Sequence, residues 1–354
     1  MSGVTGRSMR LAFAKFATGS WGAAASVTKG LYIEGDAGMQ YRPAQVTDDA
    51  FGQPFLGQAD PGLVEAPTLS LVGRDRYEDH QYILEALAMG SPAAVAIATS
   101  ASGQTTSWTH QFDLADSIDG LGITAAIDKV LYVEELTSIK VHGFEVTQAQ
   151  NGAMNQTFRV TGSKPTNISS VNVAATVAGA AYPSLGNRIM QQQGVFRMNV
   201  HGAGSLTSSD ALKVESVKLT FNRPQDAPHV YGQDYVDEPA DNGWPELMLE
   251  VTYPRMNTLS ANSLYAGLRS STAFKADWTF SGAHINSTDR YQKLYQFPFM
   301  QLMDDGFVAA TAGPNQVKPV AKFALRQAAT SPSGMPFIRP LRVTRIMTNS
   351  VVAF

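Results

Sequence analysis

The 354 residues are 44% hydrophobic and only 16% charged, enough chain for two domains of ordinary size under a surface poor in ions that suits contact with other proteins. A formal charge of −3 argues against strong binding to nucleic acid or to an acidic membrane by charge alone. With no cysteine in the chain, disulfides, thiolate nucleophiles and Cys-ligated zinc are excluded, and assembly in a reducing cytoplasm is allowed.

In chain order, residues 9–22 (MRLAFAKFATGSWG) are interrupted by Arg10 and Lys15 and make a poor signal peptide. No apolar run approaches the roughly 18 residues of a membrane-spanning helix. The chain therefore reads as soluble and unexported, with no membrane partner. A strand over 68–72 precedes the clearer of two predicted helices, about 76–89. This helix sets Tyr77, Leu84, Leu87 and Ala88 near one face, has Asp75 and Glu78 as an N-terminal box, and stops at Gly90 and Pro92. An apolar run over 93–98 and a strand over 108–114 follow. Residues 137–148 and 155–162 flank Asn151-Gly152, a strong hairpin turn signal. Within the first of these strands the apolar parity slips from Ile139 and Val141 to Phe144 and Val146, which predicts a β-bulge at or beside Gly143.

Residues 171–190, small and nearly uncharged at their start, read as a linker between a first domain over 1–170 and a second over 191–354. Beyond it come alternating runs at 195–201 and 214–222. In VESVKLTFN (214–222), Val217, Leu219 and Phe221 face one way, and ELMLEVTY (246–253) repeats the period with Leu247, Leu249, Val251 and Tyr253. Between them, 224–245 holds Asp226, Asp234, Asp237, Glu238 and Asp241 and no Lys or Arg. A loop of that length is usually functional or unordered, and this one is expected to reach a partner. A second, shorter helix over about 258–268, strands at 274–280 and around 295–299, and a strand at 341–347 complete the reading. Leu69 and Leu249 are 180 apart, as are Gly90 and Ser270. The recurring order of strand, helix, strand and strand predicts a duplicated domain.

Catalytic patterns are weak. GLGITA (120–125) has the form of a dinucleotide fingerprint, but the carboxylates of the preceding DLADSID repel a pyrophosphate and no βαβ pattern follows. The six histidines show no i, i+4 pair. The acid pairs Asp48-Asp49 and Asp304-Asp305 serve acid–base chemistry only beside a cleft, and no G-x-S-x-G elbow is present. The expectation is no enzyme, no metal and no cofactor.

The succession of alternating strand, long loop, strand, short helix and two strands over 214–302, with KFATGSWG near the N-terminus and RVTRIMTNSVVAF at the C-terminus, resembles the tail tube (major tail) proteins of long-tailed bacteriophages. The resemblance implies a mainly β fold with short α-helices, built as two tandem tube-like β-sandwich or partial-barrel domains that complete a large β-barrel on oligomerisation. It implies a structural protein of the virion tail, assembled in the host cytoplasm into stacked rings that conduct DNA during ejection. A duplicated domain then gives homotrimeric rings with pseudo-sixfold symmetry; a homohexamer of one tube domain plus a decorating domain is the alternative. Implied partners are further copies of the chain, tape measure, tail terminator and tail tip proteins, and double-stranded DNA that passes without specific binding.

The hairpin around Asn151-Gly152 and the strand at 214–222 are the candidate channel lining, with Thr137, Thr157, Thr220 and Asn222 facing the lumen, because polar uncharged residues hold no phosphate. The acidic residues of the loop are candidates for inter-ring contact. The loop and the termini are expected to be unordered in the free subunit and to cover its sheet edges until docking. Arg339, Arg342 and Arg345 are expected to meet carboxylates of another subunit. A β-rich carbohydrate-binding or adhesin-like module is the competing reading, with Trp21, Trp108, Trp244 and Trp278 available for an aromatic platform. A hydrolase built from scattered acids is a third.

Overall fold

The computed structural model describes residues 9–16, 21–34, 43–46, 60–64, 68–90, 99–100, 106–148, 152–233, 235–254, 272–310 and 318–349. In chain order its elements are β1 (Arg10–Lys15), β2 (Lys29–Leu31), β3 (Pro43–Val46), β4 (Asp60–Val64), β5 (Thr68–Arg74), helix α1 (Gln81–Ala88), β6 (Thr99–Ser100), β7 (Trp108–Asp113), β8 (Ile123–Asp128), β9 (Val133–Gln148), β10 (Asn155–Gly162) and β11 (Pro165–Thr166). Helix α2 (Ala174–Gly179) follows, then β12 (Gly194–Val200), β13 (Ala211–Leu212), β14 (Ser216–Asn222), β15 (Gln225–Asp226), β16 (Ala240–Asp241), β17 (Glu246–Thr252), β18 (Ala273–His284), β19 (Arg290–Ala310), β20 (Lys318–Leu325) and β21 (Arg342–Met347). The chain is mainly β with short helices. Among the described residues 17 strands join one sheet, which does not close into a barrel. No described helix is long and apolar enough to cross a membrane. The predicted helix at 258–268, the run at 93–98 and Asn151 of the predicted turn lie outside the described residues.

Strict alternation fixes which face of each strand is buried. In β14, β17 and β20 every second residue is buried, so Val217, Leu219, Phe221, Leu247, Leu249, Val251, Ala321 and Phe323 enter the core. The bulge falls beside Gly143: Arg159 of β10 faces Gly143 and Val160 faces Val141, so His142 is the extra residue. That slip turns Phe144 and Val146 to the same side as Ile139 and Val141. Gly143 is also where backbones come closest, since a Cβ there would stand 2.7 Å from Phe221 O.

Helix α1 starts five residues later than predicted. Asp75 is drawn into ion pairs with Lys293 and Arg345, and Tyr77 N donates to Asn187 O at 3.0 Å, so residues 75–80 run irregularly before the first turn. All eight residues of α1 are buried. The helix ends as expected at Gly90, whose φ of +72° suits glycine.

Two sets of six strands have the same neighbour order. The strands β2, β1, β8, β9, β10 and β5 lie side by side, and so do β13, β12, β18, β19, β20 and β17. Both sets occur in the same sequence order and every pairing is antiparallel. Two junctions cross the midpoint of the chain: β14 lies between β9 and β17, and β21 lies between β19 and β7. One buried apolar cluster, including Phe144, Phe158, Phe221, Trp278, Tyr295 and Phe323, runs through both sets. The segment 171–190, largely exposed, is anchored through a few buried residues. The Asn172 side chain accepts from Val27 N and donates to Ala25 O, both at 2.9 Å, and Val177 of α2 is buried against Ala12 and Val27.

Candidate assembly surfaces

Strands β5, β10, β9, β14, β17 and β20 form a continuous antiparallel wall with one apolar and one polar face. On the polar face Val72, Thr157, Glu145, Thr220 and Met248 share one cross-strand row. The next row on one side holds Thr147, Lys218, Glu250 and Lys322, and the row on the other side holds Arg159, Asn222 and Glu246. Thr157, Thr220 and Asn222 are thus brought together, each half-buried. Thr137 is not with them. It stands at a second irregularity, where β8 changes register between Ile139 and Leu136, and its hydroxyl pairs with that of Ser163 at 2.8 Å.

This face carries charge, which the hydroxyl pattern alone did not suggest. Arg159, Lys218 and Lys322 are set against Glu145, Glu246 and Glu250 in alternating register. Lys218 Nζ lies 2.9 Å from Glu145, and Arg159 lies 4.0 Å from it. Signs that alternate at this spacing cancel within a Debye length, roughly 8–10 Å.

The wall ends differently at its two borders. The border of β9 that pairs with β8 as far as Ile139 is taken over by β14 along residues 143–148. The corresponding border of β19 pairs with β18 as far as Gln301; from Leu302 to Ala310 no described strand adjoins it. At the other end, β17 is flanked by β20 and β14, whereas β5 has β10 on one side and on the other, among the described residues, a single backbone bond, Glu34 N to Val72 O at 2.7 Å. Its counterpart is Glu215 N to Thr252 O, also 2.7 Å, at the entry to β14.

The long acidic loop is a hairpin arm, with Gln225 opposite Asp241 and Asp226 opposite Ala240 at its base and His229 bridged to Val236 further out. Two cations buried in the wall fix its return limb. Lys140 bonds Pro239 O, lies 2.9 Å from Glu238 and reaches Asp119 at 3.5 Å. Arg223, at the core-facing parity just after β14, bonds the carbonyls of Ala115 and Asp116 and pairs with Asp241 at 3.3 Å. Trp21 Nε1 donates to Val236 O at 3.0 Å, and Gly120 N donates to Glu238 at 2.8 Å. Glu238 and Asp241 are therefore counterions within the chain. Asp226 and Asp237 are exposed, and Asp234 lies outside the described residues. The expectation that the whole loop orders only on docking is corrected for the return limb: buried cations require their acids in the single chain. At the tip Tyr231 is fully exposed, 105% against its reference.

A second ionic group joins the two strand sets inside the core. Asp75, Asp79 and Glu85, before and within α1, meet Lys293 of β19 and Arg345 of β21, all five buried. Lys293 bonds Asp75 and lies 3.3 Å from Glu85. Arg345 lies 3.1 Å from Asp75, 2.9 Å from Glu85 and 3.6 Å from Asp79, and Tyr295 donates to Glu85 at 2.8 Å. Burial pulls the Asp75 carboxyl up, but Arg345 and Lys293 beside it prevail and hold it below the usual range. Burial, then the charge of Asp75, pushes Asp79 up to about 7. Lys293 and Arg345 share the parity of Tyr295 and Phe297, and of Val343 and Met347, so a cation on the core face of a strand was the available sequence signal.

The C-terminal arginines are likewise paired within the chain, correcting the expectation of partners in another subunit. Arg342 faces Asp113 in register between β21 and β7, at 2.5 and 2.7 Å, and Arg339 pairs with Asp116. The glycines of GLGITA lead into β8, which is followed by β9 rather than by a helix. His80, His110 and His201 each donate to a backbone carbonyl at 2.8 Å, and no metal-holding cluster occurs among the described residues. Of the tryptophans only Trp244 is exposed, so they form no shared platform. No protein-family model matches the sequence, and no curated protein matches it.

Proposed function

We propose that the chain is a tail tube protein of a long-tailed phage, a non-enzymatic virion component without cofactors whose two tandem copies of one tube fold assemble into rings. The observation that supports this most is the repeated strand order together with its borders. Inside the chain, β14 completes the free border of β9 and flanks β17. Among the described residues, the equivalent border of β19 beyond Leu302 and the equivalent outer edge of β5 are the two places where the same arrangement remains open. An edge of unpaired N–H and C=O groups is a template for another chain, and a ring removes it. Repeating the internal junction between chains turns each copy by two tube units, so three chains close a pseudo-sixfold ring; a homohexamer is the alternative closure. The wall's polar face then lines the channel, where balanced charges and hydroxyls let double-stranded DNA slide without the counterion release that holds a basic surface to phosphate. Tape measure, tail terminator and tail tip proteins are the remaining partners of such a tube, in a virion tail assembled in the host cytoplasm.

Sedimentation velocity and negative-stain microscopy of the purified protein test the reading. Val72 O points outward, toward Glu34, so the N–H of exposed Ser70, two residues away, points the same way. Ser70→Pro removes that donor without cutting the ladder to β10. Rings of three chains are expected from the wild type, and folded monomers from the variant. A wild type that stays monomeric at high concentration, or a Ser70→Pro variant that assembles equally well, would overturn it.

A further inference from the structure

The second half of the chain has a covering that the first half lacks. On β19 the border opposite β18 holds β20 and then, toward the start of the strand, β21, whose far border pairs along all six residues with β7. On β9 the border opposite β8 holds β10 and β11 in the same order. Among the described residues no strand adjoins the far border of β11. At the covered border the core-facing residues Phe112, Val343 and Met347 are fully buried. Around the uncovered one, large apolar side chains stand in solvent. Ile168, just past β11, is 86% exposed and Leu131, in the β8–β9 turn, is 77% exposed, with Val130, Tyr132, Val171 and Val173 exposed as well. Val130, Leu131 and Tyr132 line a cleft of about 250 Å³ together with Val173, so the turn and the segment after β11 form one patch. The corresponding β18–β19 turn is polar: Asn286 Oδ1 accepts from Thr288 N and Asp289 N at 2.8 and 2.7 Å, and Ser287 and Thr288 are exposed.

We infer that the second half of a neighbouring copy covers this patch, as the first half covers β21 through β7 inside the chain. The inference rests on the ring reading and adds to its two open edges a third surface, of apolar chemistry. The occupant follows from the repeat. Within the chain, the half whose long strand β9 gives its border to β14 also supplies β7 to the half in which β14 flanks β17. Between chains, the copy whose β19 border faces β5 is therefore the one that stands against β11. The chemistry agrees, because the place that is apolar and buried within the chain at β21 is apolar and exposed at β11. A contiguous exposed apolar patch of this kind marks a contact surface. Val130 adds to it: a β-branched residue at φ +72° is an outlier that surface position alone does not require. Since the patch belongs to the first half only, a ring of three chains carries it once at each junction between chains.

Because the chain has no cysteine, single introduced cysteines report exposure without background. Ile168→Cys and Leu131→Cys are expected to react freely with a maleimide in dilute monomer and about tenfold or more slowly in single rings separated by sedimentation. Trp244→Cys, at a residue 90% exposed between β16 and β17, is expected to keep its rate. Ile168→Glu is expected to leave the urea midpoint of the monomer unchanged and to raise the concentration at which rings form by about tenfold or more. Labelling of Ile168→Cys and Leu131→Cys in rings at the monomer rate, equal slowing of Trp244→Cys, or rings of Ile168→Glu at the wild-type concentration overturns the inference and leaves the ring reading in place. A wild type that forms no rings removes the ring reading, and this inference with it, before any variant is made.

Discussion

The core ionic group and the arm anchor solve one problem in two dielectric settings. In both, cations on the sheet meet acids contributed from elsewhere in the chain. Lys293 and Arg345 are sealed with Asp75, Asp79 and Glu85, and none of the five is more than 4% exposed. Lys140 and Arg223 are equally buried, but their acids are not: the side chains of Glu238 and Asp241 keep 25% and 19% exposure. Two charges removed from water interact strongly and are costly to separate, whereas a pair with one partner still hydrated loses little when it opens. The comparison teaches that the first contact is a permanent lock between the strand sets. The second is a latch, strong enough to seat the arm and weak enough to adjust when a neighbour arrives.

Substitutions at each contact test that difference. The largest effect belongs to Arg345→Met, which leaves Asp75 and Glu85 without their principal cation. Urea unfolding at pH 7 should show a loss of roughly 3–5 kcal/mol; a loss under about 1 kcal/mol would place the cluster in the same class as the arm.

Asp79→Asn sharpens the same contrast through pH. The folded Asp79 stands near 7 against an ordinary 3.8, so its contribution is full below pH 3.8 and is lost as pH rises through 7. The size is about 1.4 kcal/mol for each pKa unit of displacement. Asp75, held low, acts oppositely: its contribution is present above pH 3.8 and is lost as pH falls through its folded value. The groups that face Asp79 are Asp75, Arg345, Lys293 and the N–H groups of Arg76 and Gln81. Stability measured from pH 4.5 to 8 should therefore decline less in Asp79→Asn than in the wild type, and parallel curves would sink the assignment.

At the arm, Lys140→Met should cost about 1–3 kcal/mol and speed proteolysis between residues 224 and 245. Smallest of all, Glu238→Gln should change stability by less than about 1 kcal/mol and make the arm's protection insensitive to salt. A loss comparable to that of Arg345→Met would mean that the arm is locked, not latched.

What the sequence disclosed follows from how local each signal is. Alternation in 214–222, 246–253 and 341–347 placed β14, β17 and β21 within two residues, because the burial of one face is written in period two. The parity slip near Gly143 gave the bulge for the same reason. The late start of α1 was hidden because Asp75, a good first-turn acid by itself, is claimed by cations more than 200 residues away. The candidate channel residues shared this fate. Thr157, Thr220 and Asn222 lie on three neighbouring strands, and their grouping depends on register, whereas Thr137 is displaced by an irregularity that no residue type announces. The acids of the arm looked alike in sequence and differ in role only because Lys140 and Arg223 lie beneath two of them.

The pairing of β7 with β21 also has a kinetic side. Arg342 and Asp113 are 229 residues apart, so β7 leaves the ribosome long before the strand that covers its border exists. Contacts of such separation are slow to form, since loop closure must precede any reward. Until β21 arrives, Asp75 and Glu85 also lack Arg345. The step that closes this cluster around Asp75 and Glu85 can therefore come only after β21 has been made.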